Sequence, residues 1–310
     1  MRNWYTRFAL LLLFIAAYTL PYRWVIVVAG WFGRQSTLFA RADINNQHQN
    51  FRLLLKQESD VAYAHAVGFF ENQYKLVACF FLCCRVGLKR WLNFVNKRIS
   101  VTNVEPLKRL LAQSQNAILL PFHFGDFISL CSVIWPLLPP EYELIILRGA
   151  HTTGLSFNWI NKLINIHQLS VSILSATDSQ DLKQLLRKLR KQQVVVIIYG
   201  DLSGAFGTAQ ETRFFGKKAR FAVGALKIAY QTQCPLLPIE LWGNAFELHK
   251  KPYLQIKPPF YVRKKPSIEG QQVYLNAIVR MLEQSIRARP SEWMNWQQVG
   301  TYFQPTKLAQ

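Results

Sequence analysis

Apolar positions fall into three textures along the chain. In the first, the runs Phe8–Leu20 and Trp24–Phe32 are apolar at nearly every position and are separated by Pro21-Tyr22-Arg23. Neither run alone reaches the roughly 20 residues that a bilayer-spanning helix needs, and the joined run carries a proline and an arginine at its middle. With Trp4, Tyr5, Trp24 and Trp31 available at headgroup depth, the pattern predicts an uncleaved membrane anchor over residues 1–35. It would be either a kinked span or a helical hairpin dipping into one leaflet. A basic start before a short apolar segment also has the outline of a signal peptide, but no small-residue cleavage site follows Leu20. A buried hydrophobic helix pair is the remaining alternative.

The second texture, Leu38 to Asn96, repeats apolar residues at three- and four-residue steps, and no proline falls between Pro21 and Pro106. It predicts a helical region over residues 36–105 that packs on the rest. After Pro106 short apolar runs alternate with amphipathic stretches. Strands are expected at Ala117–Leu120, Leu144–Leu147, Val171–Leu174, Val194–Tyr199 and Leu236–Leu241, with helices at Asp181–Lys191 and Phe221–Thr232. That alternation predicts an α/β domain over residues 106–303, a mixed sheet flanked by helices on both faces. Residues 304–310 read as a frayed tail.

Composition narrows the partners. Against 17 Asp and Glu stand 37 Lys and Arg, a formal net charge of +20 in 310 residues, so the surface should attract anions such as phospholipid headgroups, acidic carrier proteins or nucleic acid. Half of the residues are hydrophobic and 14% aromatic, which favours a lipid surface. No nucleic-acid motif is present and the aromatics form no stacking platform, so nucleic acid is not an expected partner. The cysteines, Cys79, Cys83, Cys84, Cys131 and Cys234, are odd in number and lack zinc-ligand spacing. They are expected to be reduced packing residues of a cytosol-facing protein, with no metal.

Candidate chemistry begins at Pro121-Phe-His-Phe-Gly-Asp-Phe127, where a strand should give way to a helix at the usual functional edge of an α/β sheet. His123 there suits a general base if a partner holds its ring. Asp126, three residues on, would share a helical face with it and could accept from the ring N–H, and Gly125 would let a substrate approach the backbone. The alternative is that Asp126 caps a helix and His123 is a hydrogen-bonded core residue. Ser129 and Cys131 are not in a nucleophile-elbow pattern, which argues against covalent catalysis.

A second constellation follows: Val194-Val-Val-Ile-Ile-Tyr-Gly-Asp201, a loop with Gly204 and Gly207, Thr212-Arg-Phe-Phe-Gly-Lys-Lys-Ala-Arg220, the helical Ala225-Leu-Lys-Ile-Ala-Tyr230, and Cys234-Pro-Leu-Leu-Pro-Ile-Glu240. In this order these segments resemble the lipid A late acyltransferase branch of the lysophospholipid acyltransferase superfamily. That branch has a strand ending in Asp, a Phe-Phe-Gly followed by a basic residue, a helix of this kind and a Pro-x-x-Pro strand. Leu20-Pro21-x-Arg23, Asn50-Phe51 and Trp293-Met-Asn-Trp-Gln297 are similar as well, so the likeness covers most of the chain. The departure falls at the histidine. The family has Asp or Glu five residues after it, and here that position is Ile128. Asp126 is the expected substitute, with Asp201 or Glu240 able to approach through the fold. A related lipid A glycyltransferase is also unorthodox at this site.

The resemblance implies direct transfer of an acyl or aminoacyl group from an acyl carrier protein or coenzyme A thioester to a hydroxyl or amine of a lipid A precursor or lysophospholipid. The place would be the cytoplasmic face of a bacterial inner membrane, with His123 as base and no further cofactor. A catalytically inactive homologue that binds lipid or carrier protein is the alternative. Arg148, Asp201, Arg213, Phe215, Gly216, Lys217 and Arg220 are candidate substrate-binding residues, the cations (Lys218 among them) for phosphate groups. Lys183, Arg187, Lys188, Arg190 and Lys191 form a basic helix face whose simplest role is solubility, although an acidic carrier protein or anionic membrane could dock there. Lys162 and His167 carry no assigned role, and His48, His65, His151 and His249 lack partners at metal-ligand spacing.

Overall fold

The computed structural model describes residues 2–113, 115–149, 170–191, 193–243, 251–262 and 268–303. Lys162, His151, His167 and His249 lie outside them. The two N-terminal apolar runs form α1 (Arg2–Thr19) and α2 (Tyr22–Phe39). They part at Pro21, which lacks the N–H to continue a helix and holds an extended backbone, φ −58° and ψ 144°. The helical region resolves into α3 (Arg41–Leu55), α4 (Ser59–Val86) and α5 (Leu88–Arg98). Lys56 in the left-handed conformation ends α3, and Gly87, with φ 75°, ends α4.

Seven strands form the main sheet in the order β1-β9-β8-β2-β5-β3-β4. They are β1 (Ser100–Thr102), β2 (Ala117–Pro121), β3 (Glu143–Arg148), β4 (Val171–Ser175), β5 (Val194–Ile197), β8 (Leu236–Trp242) and β9 (Tyr253–Ile256). All neighbours are parallel except β8 and β9, so the sheet is mixed and parallel-rich. Every residue of β2 and β5 is buried, which explains their unbroken apolar sequences: a central parallel strand is covered on both faces. Alternate side chains enter two cores. Ile118 and Leu120 pack with the helix Ile268–Ala288 and the first half of α4. Ala117 and Leu119 pack with α1, α2, α5 and the second half of α4. The helix α4 therefore passes from one layer to the other, and α1 and α2 share a core with the sheet.

All five expected strands exist, with small shifts. The strand expected to reach Tyr199 ends at Ile197, and the helix expected from Phe221 starts at Gly224 (Gly224–Thr232), because Phe221 and Ala222 close a strand. The basic stretch Thr212–Arg220 lies in an antiparallel hairpin, β6 (Ala209–Phe214) and β7 (Lys217–Ala222). Its turn is Phe215-Gly216, both at positive φ. Among the described residues no helix is long and apolar enough to cross a membrane.

Candidate active site

The strands β2 and β5 lie side by side in parallel, Ala117 opposite Val195 and Leu119 opposite Ile197, so their carboxyl ends emerge together. The backbones stay hydrogen-bonded past the strands, Gly200 N donating to Pro121 O at 2.8 Å. His123, two residues beyond β2, thereby meets Asp201, four residues beyond β5. Asp201 Oδ1 is 2.7 Å from His123 Nδ1, and Asp201 Oδ2 accepts from the His123 backbone N–H at 2.8 Å. The carboxylate that holds the ring is thus Asp201. It is fully buried, whereas the His123 side chain keeps 18% exposure. An ionised carboxylate only accepts, so this contact assigns the proton to Nδ1 and the free lone pair to Nε2.

The C-terminal segment completes the shell around Asp201. Trp293 Nε1 donates to Oδ2 at 2.9 Å, Asn295 Nδ2 lies 3.2 Å from both Oδ2 and the Asp201 carbonyl, and the Tyr302 hydroxyl donates to that carbonyl. A buried carboxylate is tolerable because these donors replace its water. Tyr199 stacks on the imidazole with centroids 3.9 Å apart and planes 20° apart, and Phe127 meets the ring edge-on. Burial, followed by the neighbouring Cys131 and acidic groups, pushes the Tyr199 phenol well up. Burial first and Asp201 second do the same for Tyr302, so both are neutral hydroxyls here. Replacing Trp293 by Phe keeps an aromatic ring but deletes one donor to a buried charge and leaves a space where the pyrrole ring packs. Stability should fall by about 1.5–3 kcal/mol, read as an earlier midpoint in a urea melt.

Asp126 is held otherwise. Its carboxylate accepts from Ser129 N at 3.3 Å and from Ser129 Oγ at 2.5 Å, capping the short 3-10 turn Phe127–Ser129. The backbone around it runs through a bend, so the shared helical face expected of His123 and Asp126 does not form. The capping alternative is the geometry found. Glu240 is also engaged elsewhere, with Lys257 at 2.9 Å and Ser285 Oγ at 3.1 Å. Gly125 is required for a reason other than an approaching substrate. It sits at φ +50°, and a Cβ there would lie 2.3 Å from the Gly243 carbonyl oxygen. Gly125 N donates to Glu292 O and Asp126 N to Gly243 O, while Met294 N donates to His123 O. The histidine loop is thus laced to the C-terminal segment and to the end of β8. A cleft of about 370 Å³ opens beside it, lined among others by Lys75, Asp126, Arg289 and Glu292.

Ser129 is buried on Asp126, and burial raises the Cys131 thiol to about 12, so neither presents an activated nucleophile. Among the described residues no group of three His, Cys, Asp or Glu is arranged to hold a metal. Arg148 ends β3, next to β5, on the same sheet edge as the dyad. The hairpin residues are set apart from it. Phe214 packs on Trp293 and Tyr302, joining the hairpin to the shell of Asp201. Its tip points away: Phe215 N donates to Glu283, Arg287 lies over the Phe215 ring at 5.1 Å, and Arg213 Nη1 reaches Gly216 O at 3.3 Å. Lys217 is exposed, Lys218 pairs with Glu211 at 2.7 Å, and the buried Arg220 Nε has no hydrogen-bond partner among the described residues. Sequence reasoning gives no role to Tyr199, Trp293, Asn295 or Tyr302. The signal available for Trp293 and Asn295 is the likeness of Trp293-Met-Asn-Trp-Gln297 to the family, which names no role for them.

At the carboxyl edge of a parallel sheet, then, a buried carboxylate holds a partly exposed imidazole. The chain belongs to the bacterial lipid A biosynthesis acyltransferase family, whose model matches residues 1–298, and it is accordingly an acyltransferase that acts on lipid acceptors. No curated protein matches the chain.

Proposed function

We propose that the protein moves a fatty acyl group from a carrier thioester to a hydroxyl of a membrane lipid acceptor, a lipid A precursor or lysophospholipid, with His123 as general base and Asp201 as its partner. The observation that carries the proposal is the 2.7 Å contact between His123 Nδ1 and Asp201 Oδ1 beside a partly exposed ring. Nε2 takes the acceptor's hydroxyl proton as the oxygen attacks the thioester carbonyl. The imidazolium formed is stabilised by Asp201 and faces the Tyr199 ring. Collapse of the tetrahedral intermediate breaks the carbon–sulfur bond, and the imidazolium returns its proton to the departing thiolate. Asp126 is then a structural cap.

Arg148, on the site's own edge, is the best placed cation for a phosphate of the acceptor or of the carrier arm. Arg213, Lys217 and Arg220 serve farther out. Lys183, Arg187, Arg190 and Lys191 expose their charges on the helix Ser179–Lys191 and suit an acidic carrier protein, whereas Lys188 is occupied by Glu143 at 2.6 Å. Membrane association, at the cytoplasmic face of a bacterial inner membrane, is supported by the exposed apolar residues of α1 and α2, Trp4, Leu11, Trp24 and Trp31 among them. The test is transfer by the purified full chain from acyl carrier protein and coenzyme A thioesters to both acceptor types, with mass spectrometry of the lipid product. A mass increase of one acyl group is expected. No acylated product with any pair would overturn the proposal.

A further inference from the structure

The membrane part of that reading leaves open how the helix pair meets lipid, and here we infer that α1 and α2 lie flat in one leaflet of an anionic membrane, both ends at headgroup depth. Along α1 the exposed large apolar residues are Trp4, Phe8, Leu11, Phe14, Ile15 and Tyr18, and their steps of three and four, with Phe14 beside Ile15, draw one stripe down the whole helix. The opposite stripe, Tyr5, Ala9, Leu13 and Ala17, is buried in a core shared with α2, α4 and the sheet. On α2, Trp24 (61% exposed), Val27, Trp31 (56%) and Leu38 (60%) face out, and Val25, Ile26, Ala29 and Phe32 face in. A helix crossing the hydrocarbon would have to leave this seat.

The seat is tight. A Cβ on Gly33 of α2 would lie 2.5 Å from the Glu71 Cα of α4, so the two backbones touch. Tyr5 Oη donates to Phe32 O at 3.0 Å, joining the start of α1 to the later part of α2. At the elbow, Arg85 Nη1 of α4 donates to Ala17 O at 2.9 Å and Leu20 O at 2.7 Å, satisfying the carbonyls that end α1.

Charge decides between dipping and lying flat. Exposed arginines occur at both ends of the pair, Arg7 and Arg34 at the open end and Arg23 at the elbow, where Lys89 and Arg90 of α5 are also exposed. An elbow at the bilayer centre would bury Arg23 in hydrocarbon at a cost of about 2.5–3.5 kcal/mol or more. Flat on the surface, Arg7, Arg23, Lys89 and Arg90 can meet lipid phosphate while Arg34 keeps its pair with Glu71 at 2.8 Å, and the stripes sink about 5–10 Å.

Spin labels can measure this directly. Cysteines would replace Trp4, Leu11 and Tyr18 one at a time, in a full chain whose partly exposed Cys84 and Cys131 are changed to serine. Depth would be read from collision with oxygen and with an aqueous nickel complex on phosphatidylglycerol–phosphatidylethanolamine vesicles. The three labels should lose nickel contact on vesicle addition and report one common depth. A spread approaching about 21 Å between positions 4 and 18, the rise of 14 helical residues, would mean a dipping or crossing helix and would overturn the inference. So would nickel access unchanged by vesicles. The readout is depth rather than turnover, so its failure and a failure of the acyl-transfer reading are separate results.

Discussion

Asp201→Asn should lower acyl transfer by a factor of about 10²–10⁴, a loss as large as that of His123→Ala. Four donors converge on the Asp201 carboxylate: His123 N, His123 Nδ1, Trp293 Nε1 and Asn295 Nδ2. An amide has one acceptor oxygen, so its NH2 must face at least one of them. Three of the donors meet Oδ2 and the imidazole alone meets Oδ1, so the amide oxygen takes the Oδ2 place and the NH2 faces the imidazole, which can turn into an acceptor. It would give up the proton on Nδ1 and carry it on Nε2, where no base remains for the acceptor hydroxyl. The double variant should then be no slower than the worse single one, because both changes remove one unit. Asp126→Asn is the contrasting case. Ser129 Oγ keeps an acceptor, so the rate per folded molecule should stay nearly unchanged while the melting midpoint falls. A large loss in Asp126→Asn with Asp201→Asn near the parental rate would return the ring's partner to the local residue.

That contrast also locates the limit of the sequence. The two strands that matter announce themselves as unbroken apolar runs, and the residues just past them, His123 and Asp201, are legible as edge residues. Their meeting is a property of strand order, β5 beside β2 across 78 residues of chain, and no local spacing encodes it. The i, i+3 argument for Asp126 assumes a helix already under way at His123. Instead the backbone bends, with Asp126 at φ −87° and ψ 60°, and the first turn begins after it. The hairpin β6–β7 is readable in principle, because Thr212 and Phe214 alternate with exposed Glu211 and Arg213, and Ala219 and Phe221 alternate with partly exposed neighbours. Its basic residues draw attention to charge rather than to the period of two. The strands β1 and β9, of three and four residues, are too short for a periodic signal. For α1 and α2 the sequence indicates apolar helices, but only packing reveals that one stripe of each belongs to the protein.

Gly125→Ala should cost about 2–5 kcal/mol of stability, the largest loss expected from a single methyl group near the site. Two effects add. At φ +50° an L side chain crowds its own carbonyl, which accounts for about 1–2 kcal/mol. The new Cβ would also lie 2.3 Å from the Gly243 carbonyl oxygen, the acceptor for Asp126 N, so loop and strand end must separate and strain that bond. Gly216→Ala, in the hairpin turn, isolates the first effect, since Gly216 has φ 75° and nothing within 4 Å of the place its methyl would take, and it should cost about 1–2 kcal/mol alone. Urea melts of both variants with unchanged slope would measure the difference. Equal losses would mean that the Gly125–Gly243 approach relaxes freely and does not hold the histidine loop. If the approach does hold it, Gly125→Ala should also slow transfer in molecules that remain folded, because His123 is tied to the same lacing through its carbonyl and Met294 N.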